Sequence, residues 1–357
     1  MTAPVASELI PVRADERFDE AVLRAYLRDK LEGGALPLRV EQFAGGHANL
    51  TYLLQYGEPD RGVEYVLRRP PLGPVAPGSH DMHREYRALS VLWQAFPLAP
   101  RAYLYCDDVG VIGAPFFVME RRRGIVIRGS VPAEFGGGED ESANRKLSEA
   151  VVDSLAEFHA VDPGAIGLDS LGRDPEHFLE RQVKGWADRY QRAKTGTVEA
   201  AEDLSRWLVD HLPESPAPTL LHNDWRLDNM AVDPEDPGRC VAVYDWDMCT
   251  LGDPLADLGT LLALWNNRGD APVGMSPMPT QSIGFMSREE AVARYGERSG
   301  RDVSGVSYYD VFGTFKMAVV LQQIYFRYHR GQTKDERFAG LGAGAAGLFE
   351  LAASRRS

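Results

Sequence analysis

From Leu38 onward the chain alternates apolar and polar positions over short stretches. Leu38 to Phe43, Leu50 to Tyr56 and Glu64 to Arg69 are rich in β-branched and aromatic residues, with Gly45-Gly46 and the span from Gly57 to Gly62 between them. A period of two broken by glycine predicts a three-strand antiparallel meander. Pro70-Pro71-Leu72-Gly73-Pro74 then excludes helix and central strand alike. Beyond it Met82, Tyr86, Leu89 and Trp93 recur at three- and four-residue intervals as one helix face. Ala102 to Cys106 and Pro115 to Met119 read as two further strands, and a polar helix is expected before the meander, from Asp15 to Leu31.

The pattern changes near residue 120. Leu147, Val151, Leu155 and Phe158 mark an amphipathic helix, and Phe178 to Tyr190 and Leu204 to Leu212 mark two more. A β island of Thr219 to His222, Met230 to Val232 and Val241 to Tyr244 interrupts them. Helical patterning returns over Pro254 to Trp265, Ser287 to Tyr295, Tyr308 to Arg330 and Gly340 to Ala353. The expected fold class is α+β, with a small antiparallel-sheet lobe and one main helix over 1–120, and a larger, mostly helical lobe over 121–357.

Charge narrows the partners. With 39 basic and 52 acidic residues in 357, the net charge is −13, a field that repels nucleic-acid backbones and anionic membrane surfaces. The most apolar stretches, around Leu261 to Trp265 and Met317 to Leu321, fall far short of the roughly 20 residues of a membrane span. The first eighteen residues lack the apolar core of a secretory signal, so the expected location is the cytoplasm. Cys106, Cys240 and Cys249 are too far apart for metal-ligand spacing and read as small buried hydrophobes. The acidic, glycine-rich Gly136 to Glu141 is expected to be a mobile loop.

The chemistry is concentrated in Leu221-His222-Asn223-Asp224-Trp225-Arg226-Leu227-Asp228-Asn229 and in Val243-Tyr244-Asp245-Trp246-Asp247. His-x-Asp-x-x-x-x-Asn, followed by an Asp at the end of an apolar strand, offers one carboxylate to a substrate hydroxyl and two oxygen ligands to a hard cation. Magnesium takes a few such oxygens together with nucleotide phosphates, so Asn229 and Asp245 are candidate metal ligands, and Asp224 a candidate acceptor of the hydroxyl proton. The plainer reading is a polar turn in which Asp and Asn hydrogen-bond the local backbone.

These residues resemble the aminoglycoside phosphotransferase and choline kinase superfamily, relatives of protein kinases, from about Val40 to about Arg330. The family's features recur in order: a glycine turn with Gly45, Gly46 and Asn49, a basic residue on the third strand at Arg68, a helix glutamate at Glu85, and a hinge-like Phe116-Phe117-Val118-Met119-Glu120. The catalytic loop, Asp245 and a segment from Gly252-Asp253-Pro254 to Asp257-Leu258-Gly259 follow. The resemblance implies a protein-kinase-like bilobal fold, ATP and Mg2+ as cofactors, and nucleotide contacts from Gly45, Gly46, Asn49, Val66, Arg68, Glu85, Met119 and Glu120. Alternation on the third strand puts Val66 and Arg68 on one face, where Val66 can meet an adenine ring and Arg68 can reach phosphate. Arg68 departs from the lysine typical of kinase-like sites. Glu85 either pairs with Arg68 or is a solvated position beside Arg84 and Arg87. His222 and Asp257 would brace the catalytic loop, Asp257 by accepting backbone N–H groups, and Asp247 is a further carboxylate near the metal or a solvent-facing one.

Val-Leu-Arg-Arg-Pro-Pro, Tyr-Asp-Trp-Asp and a late Gln-Gln-x-Tyr helix are most similar to the branch that is stand-alone in bacteria and fused to acyl-CoA dehydrogenases in animals. That similarity implies a hydroxyacyl or hydroxy-acid acceptor as readily as an aminoglycoside or other antibiotic. Arg121-Arg122-Arg123 is a solvated face or a grip on an anionic substrate, and with Arg226 it competes with Asp228, Asp247 and Glu139 to Glu141 for the charge of the pocket mouth. One edge of the Tyr308 to Arg330 helix, carrying Gln322, Gln323, Tyr325 and Tyr328, is a candidate acceptor wall. A silent nucleotide-binding scaffold and a metal-dependent hydrolase using His222 and Asp224 remain as rivals, and neither the acceptor nor the oligomeric state is legible.

Overall fold

The computed structural model describes residues 8–44, 49–58, 61–73, 81–270 and 278–356. The chain divides into two compact units, Met1–Arg123 and Gly124–Ser357. The first is built on one antiparallel sheet. Its strands are β1 (Leu9–Ile10), β2 (Leu38–Phe43), β3 (Leu50–Tyr56), β4 (Val63–Arg69), β5 (Ala102–Cys106) and β6 (Phe116–Glu120), in the order β1-β2-β3-β4-β6-β5. Helix α1 (Glu20–Leu27), the main helix α2 (Met82–Leu92) and the single turn α3 (Val109–Ile112) accompany it. Leu50, Tyr52, Leu54, Tyr65 and Leu67, which alternate along β3 and β4, enter a core cluster with Leu23 and Leu27 of α1 and Phe116 and Val118 of β6. The period-two pattern thus sorts this face from the one carrying Val66 and Arg68.

The predicted N-terminal helix is shorter than its polar stretch. Ala14–Glu16 is only a 3-10 turn, and α1 begins at Glu20 because the Asp19 side chain accepts the N–H groups of Ala21 and Val22. The carbonyl of Glu16 is taken instead by Arg69, whose guanidinium is 2% exposed and also donates to the Tyr52 hydroxyl and the Ile112 carbonyl. A buried arginine with three backbone and hydroxyl acceptors ties the N-terminal segment, β3 and α3 to β4. Two residues are too short for a period to show, which is why β1 goes unpredicted.

The second unit holds α4 (Glu141–His159), α5 (Phe178–Ala193), α6 (Glu199–Asp210), α7 (Pro254–Leu264), α8 (Arg288–Ser299), α9 (Val306–His329) and α10 (Leu341–Ser354). Two small sheets lie among them. One orders β10 (Asp236–Val243), β9 (Met230–Asp233) and β7 (Ile125–Val126); the other pairs β11 (Thr250–Gly252) with β8 (Thr219–Leu221). Every residue of α7 is buried, so the apolar run that ends at Trp265 is core helix. Pro254 at its first turn and the Asp253 cap fix its start. The Ser287–Glu290 capping box begins α8. No helix among the described residues is long and apolar enough to cross a membrane.

The glycine-rich segment corrects one expectation. Ala133–Gly138 forms 3-10 turns with Phe135 and Gly138 buried, Asp140 caps α4, and the Asn144 amide donates to the Gly138 and Ile283 carbonyls. Positive φ at Gly136 and Gly137 lets the chain turn there. The backbone freedom of these glycines is spent on a tight helix entry, and Glu141 belongs to the helix.

The Arg69 arrangement sets an expectation for stability. Arg69→Met takes the guanidinium from the buried Ile112 carbonyl and Tyr52 hydroxyl, leaves the Glu16 carbonyl with the Tyr52 hydroxyl alone, and should destabilise the protein by about 3 kcal/mol in urea unfolding. A change below about 0.5 kcal/mol would show that these hydrogen bonds are dispensable.

Candidate active site

The loop between β8 and β9 is shaped by a single buried carboxylate. Asp257 of α7 is 0% exposed, and its two oxygens accept the backbone N–H groups of His222 and Asn223, each at 2.6 Å. His159 of α4 approaches the same carboxylate at 3.3 Å through Nε2, and its Nδ1 lies 2.7 Å from the Tyr295 hydroxyl of α8. Burial alone would raise the Asp257 pKa, but the hydrogen bond from His159, the nearby imidazoles and the His222 N–H outweigh it and hold the group below the usual range. Burial pushes His159 down despite Asp257, so its ring is neutral, with Nε2–H donating to Asp257 and Nδ1 accepting from Tyr295.

His222 has both ring nitrogens engaged. Nε2–H donates to the Tyr244 carbonyl at 2.8 Å, and Nδ1 accepts the Asp224 N–H at 3.3 Å. Its ring meets Trp225 and Trp246 edge-on, and Trp225 stacks on Phe158 at 5.6 Å while donating to the Val151 carbonyl. A histidine committed on both sides is a strut in this arrangement, with neither nitrogen left to ligate a metal.

Among the described residues, the non-glycine positions with positive φ are Asp174, Asn223 and Asp245. Two of the three belong to this site, where backbone strain of about 1 to 3 kcal/mol per residue needs outside support. Asn223 has it from its N–H to Asp257, from its amide to the Met248 carbonyl at 2.9 Å, and from Lys316 of α9, whose Nζ donates to its carbonyl at 3.0 Å. Asp245, at φ 66°, lies two residues beyond the end of β10, and the N–H of the intervening Tyr244 donates to the Asn229 carbonyl at 2.8 Å.

The loop and the strand ends therefore bring Asp224, Asn229 and Asp245 into one network. Asn229 Nδ2 donates to the Asp224 carbonyl at 2.9 Å and to Asp224 Oδ2 at 2.8 Å. That orientation leaves Asn229 Oδ1 outside both bonds. Burial pushes the Asp224 carboxyl up, Arg226 pulls it back, and Asp245 adds to the rise. Arg226 itself is held by both oxygens of Asp228 and stands 4.0 Å from Asp224. Asp247 sits in the 3-10 turn Trp246–Met248.

The first unit assembles the other candidates. Arg68 on β4 pairs with Glu85 of α2 at 3.2 Å, with side-chain exposures of 8% and 0%. The solvated reading of Glu85 is excluded. Val66 and Met119 are cross-strand partners in the β4–β6 ladder and nearly buried. Glu120 is tied to Arg122 and to the Arg101 N–H. Asn49 is buried just before β3, and Gly45 and Gly46 lie outside the described residues.

Two expectations about the acceptor are redrawn. Arg121 pairs with Glu8 and packs on Phe43, Arg122 pairs with Glu120, and Arg123 pairs with Glu64. The arginine run is thus spent inside its own unit. Gln322 donates to the Ala193 carbonyl and to Thr195 at the end of α5, so it is a packing residue. Lys316 and His159 went unpredicted. A lone lysine in the apolar run Thr314 to Leu321 was the available signal for the first, and for the second there was none, because only the fold brings α4, α7 and α8 together.

Residues 39–285 match the model of the phosphotransferase enzyme family. The chain belongs to that family. Acyl-CoA dehydrogenase family member 11 of Gallus gallus is 34% identical over 341 residues, covering 91% of this chain and 42% of the relative. The chain therefore spans less than half the length of such curated relatives. A candidate aminoglycoside phosphotransferase from Ralstonia eutropha, known from its crystal structure, is 30% identical with a TM-score of 0.80, covering 95% of this chain and 98% of that one. Choline kinase from Cryptosporidium parvum shares the fold at 11% identity, with a TM-score of 0.63 over 94% of this chain and 95% of its own. The kinase-like α+β fold expected from the sequence is the one observed.

The buried Tyr295–His159–Asp257 chain implies acid sensitivity. Both titrating groups bind fewer protons folded than unfolded, so their stabilisation is complete above the unfolded histidine range near about 6.5 and is lost as pH falls toward the depressed folded values. Between pH 6 and pH 5 the unfolding free energy should fall up to about 1.4 kcal/mol per pH unit more steeply in the wild type than in His159→Gln, one proton's worth. Equal slopes in urea titrations at the two pH values would remove His159 from this role.

Proposed function

We propose that this family member transfers the γ-phosphoryl group of ATP, with magnesium, to a hydroxyl of a small hydroxyacyl or hydroxy-acid compound. The observation that carries the reading is the double hydrogen bond from Asn229 Nδ2 to Asp224, which ties a carboxylate to an amide whose oxygen is free to ligate. Asn229 Oδ1 and a carboxylate oxygen of Asp245 are hard donors suited to magnesium, which when bound supplies charge neutralisation on the transferring phosphates. Two protein oxygens suit an ion that shares its remaining positions with water and phosphate.

Asp224 would accept the proton of the acceptor hydroxyl, and the raised carboxyl pKa suits that task. Asp257 and His222 would fix the loop so that Asp224 does not rotate away. Arg68, oriented by Glu85, would hold a nucleotide phosphate, with Val66 and Met119 offering an apolar surface to the base and Glu120, Asn49, Gly45 and Gly46 adjoining it. Little covalent work falls to the protein; positioning and charge do most of it. An acyl acceptor is supported by relatives that carry acyl-CoA dehydrogenase in their names. Such a catalyst would work with nucleotide and acceptor alone, in the cytoplasm, without nucleic acid or membrane as partner.

Asp224→Asn should lower turnover by about 10²- to 10⁴-fold while nucleotide affinity stays near that of the wild type. Asp245→Ala should instead weaken magnesium-nucleotide binding in calorimetry. Undiminished turnover in the first variant, or undiminished nucleotide affinity in the second, would withdraw the corresponding role.

A further inference from the structure

Asn223, the residue before Asp224, is gripped from two helices. Its N–H donates to Asp257 of α7 at 2.6 Å, and its carbonyl accepts from Lys316 Nζ of α9 at 3.0 Å. Because a peptide unit is planar, the ψ angle of Asn223 and the φ angle of Asp224 alone orient the peptide between these residues. The bond to Asp257 lies before that rotation and leaves it free. The bond from Lys316 is made to the rotating carbonyl itself. Across the same peptide, the Asp224 N–H meets His222 Nδ1 at the longer distance of 3.3 Å.

The reach of both grips is set where the two helices cross. There α7 and α9 touch backbone to backbone: a Cβ on Gly313 would collide with the Gly259 carbonyl, and one on Gly259 with the Tyr309 carbonyl. Asp257 precedes Gly259 by two residues, and Lys316 follows Gly313 by three, nearly one turn, so both side chains leave their helices beside the crossing. Lys316 is half-buried; burial pushes its pKa down, Asp224 and Asp257 pull it back up, and Arg189 of α5 opposes them. Its hydrogen bond goes to the loop backbone rather than to either carboxylate. Methionine would fill the same space without the desolvation, so what the position gains from lysine is the charged donor.

We propose that Lys316 is a positioning residue for phosphoryl transfer, holding the Asn223–Asp224 peptide from α9 so that the Asp224 carboxylate keeps one orientation. The proposal rests on the phosphotransferase reading for what Asp224 does, and adds a residue outside the catalytic motif. Lys316 touches no reacting atom in this role. Its loss frees one rotation next to Asp224, while Asp257, His222 and Asn229 still hold the loop at its other points. The effect therefore falls on turnover, which depends on the carboxylate's angle, and not on nucleotide affinity, which in that reading depends on Asn229, Asp245 and Arg68.

The test follows the full chain by two readouts: hydrogen exchange of peptides covering 222–229, read by mass spectrometry, and magnesium-dependent ADP release from ATP with water as the acceptor. Lys316→Met should speed exchange in 222–229 by about 10-fold and lower kcat for ADP release by about 10-fold, with KM for ATP within about 2-fold of the wild type. Lys316→Arg, which keeps a charged donor, should restore most of both. Tyr308→Phe removes another buried bond of α9, to the Leu208 carbonyl at 2.7 Å, and should leave loop exchange and kcat as they were. That control separates a loosened helix from a lost grip on the loop. Unchanged loop exchange or unchanged kcat in Lys316→Met, or the same changes in Tyr308→Phe, would overturn the proposal. So would faster exchange over the whole chain in Lys316→Met and Lys316→Arg alike, which would make Lys316 a packing residue. Failure of the phosphotransferase reading registers separately, as ADP release absent from the wild type; the grip on the loop is then judged by exchange alone.

Discussion

Two hydrogen bonds to one buried carboxylate determine the shape of the candidate site. Asp257 receives the N–H groups of His222 and Asn223, and this holds Asn223 at φ 67°, a left-handed conformation that asparagine enters more readily than most residues. The turn it enforces directs the chain from β8 into Asp224 and then into Asn229, which reaches back to Asp224 with its amide. An ionised carboxylate in a dry interior is expensive unless its oxygens are saturated. Asp257 meets that condition with two backbone donors and the neutral His159, so the group that shapes the loop is itself secured by α4 and α8.

Charge is distributed with the same economy. The net charge of −13 says little about the acceptor, because surface fields fade over about 8 Å at physiological salt. What counts is which local charges are already matched. The arginines at 121–123 and at 226 face carboxylates of their own unit, whereas Lys316 and Arg189 share an indole and no carboxylate within ion-pair reach. A count of basic residues near a motif therefore does not show which of them are already matched.

The elements were legible to within a few residues, because their signals are local. Alternation set β2, β3 and β5, proline and aspartate set the start of α7, and Ser287 with Glu290 set α8. The failures have local causes too. The polar stretch Asp15 to Leu31 became a short helix because Arg69, far along the chain, claims the Glu16 carbonyl. Gly136 to Glu141 reads as loose but is a capped helix entry. Of the site, the residues in sequence motifs, Asp224, Asn229, Asp245, His222 and Asp257, could be named in advance. The Arg68–Glu85 pair was open until the structure showed both side chains buried. Residues that reach the loop from other elements, His159, Tyr295 and Lys316, carry no motif, since their position depends on helix packing alone.

The central claim is phosphoryl transfer to a hydroxyl, and the most direct measurement follows ADP release from ATP by the full chain across a library of hydroxylated metabolites and antibiotics, with and without magnesium. Phosphorus NMR of each positive reaction identifies where the phosphate goes. The account predicts magnesium-dependent ADP release with a hydroxyacyl or hydroxy-acid compound and a new phosphate-ester resonance on it. ADP release that yields only inorganic phosphate, or no release with any hydroxylated compound in the presence of magnesium, would contradict it.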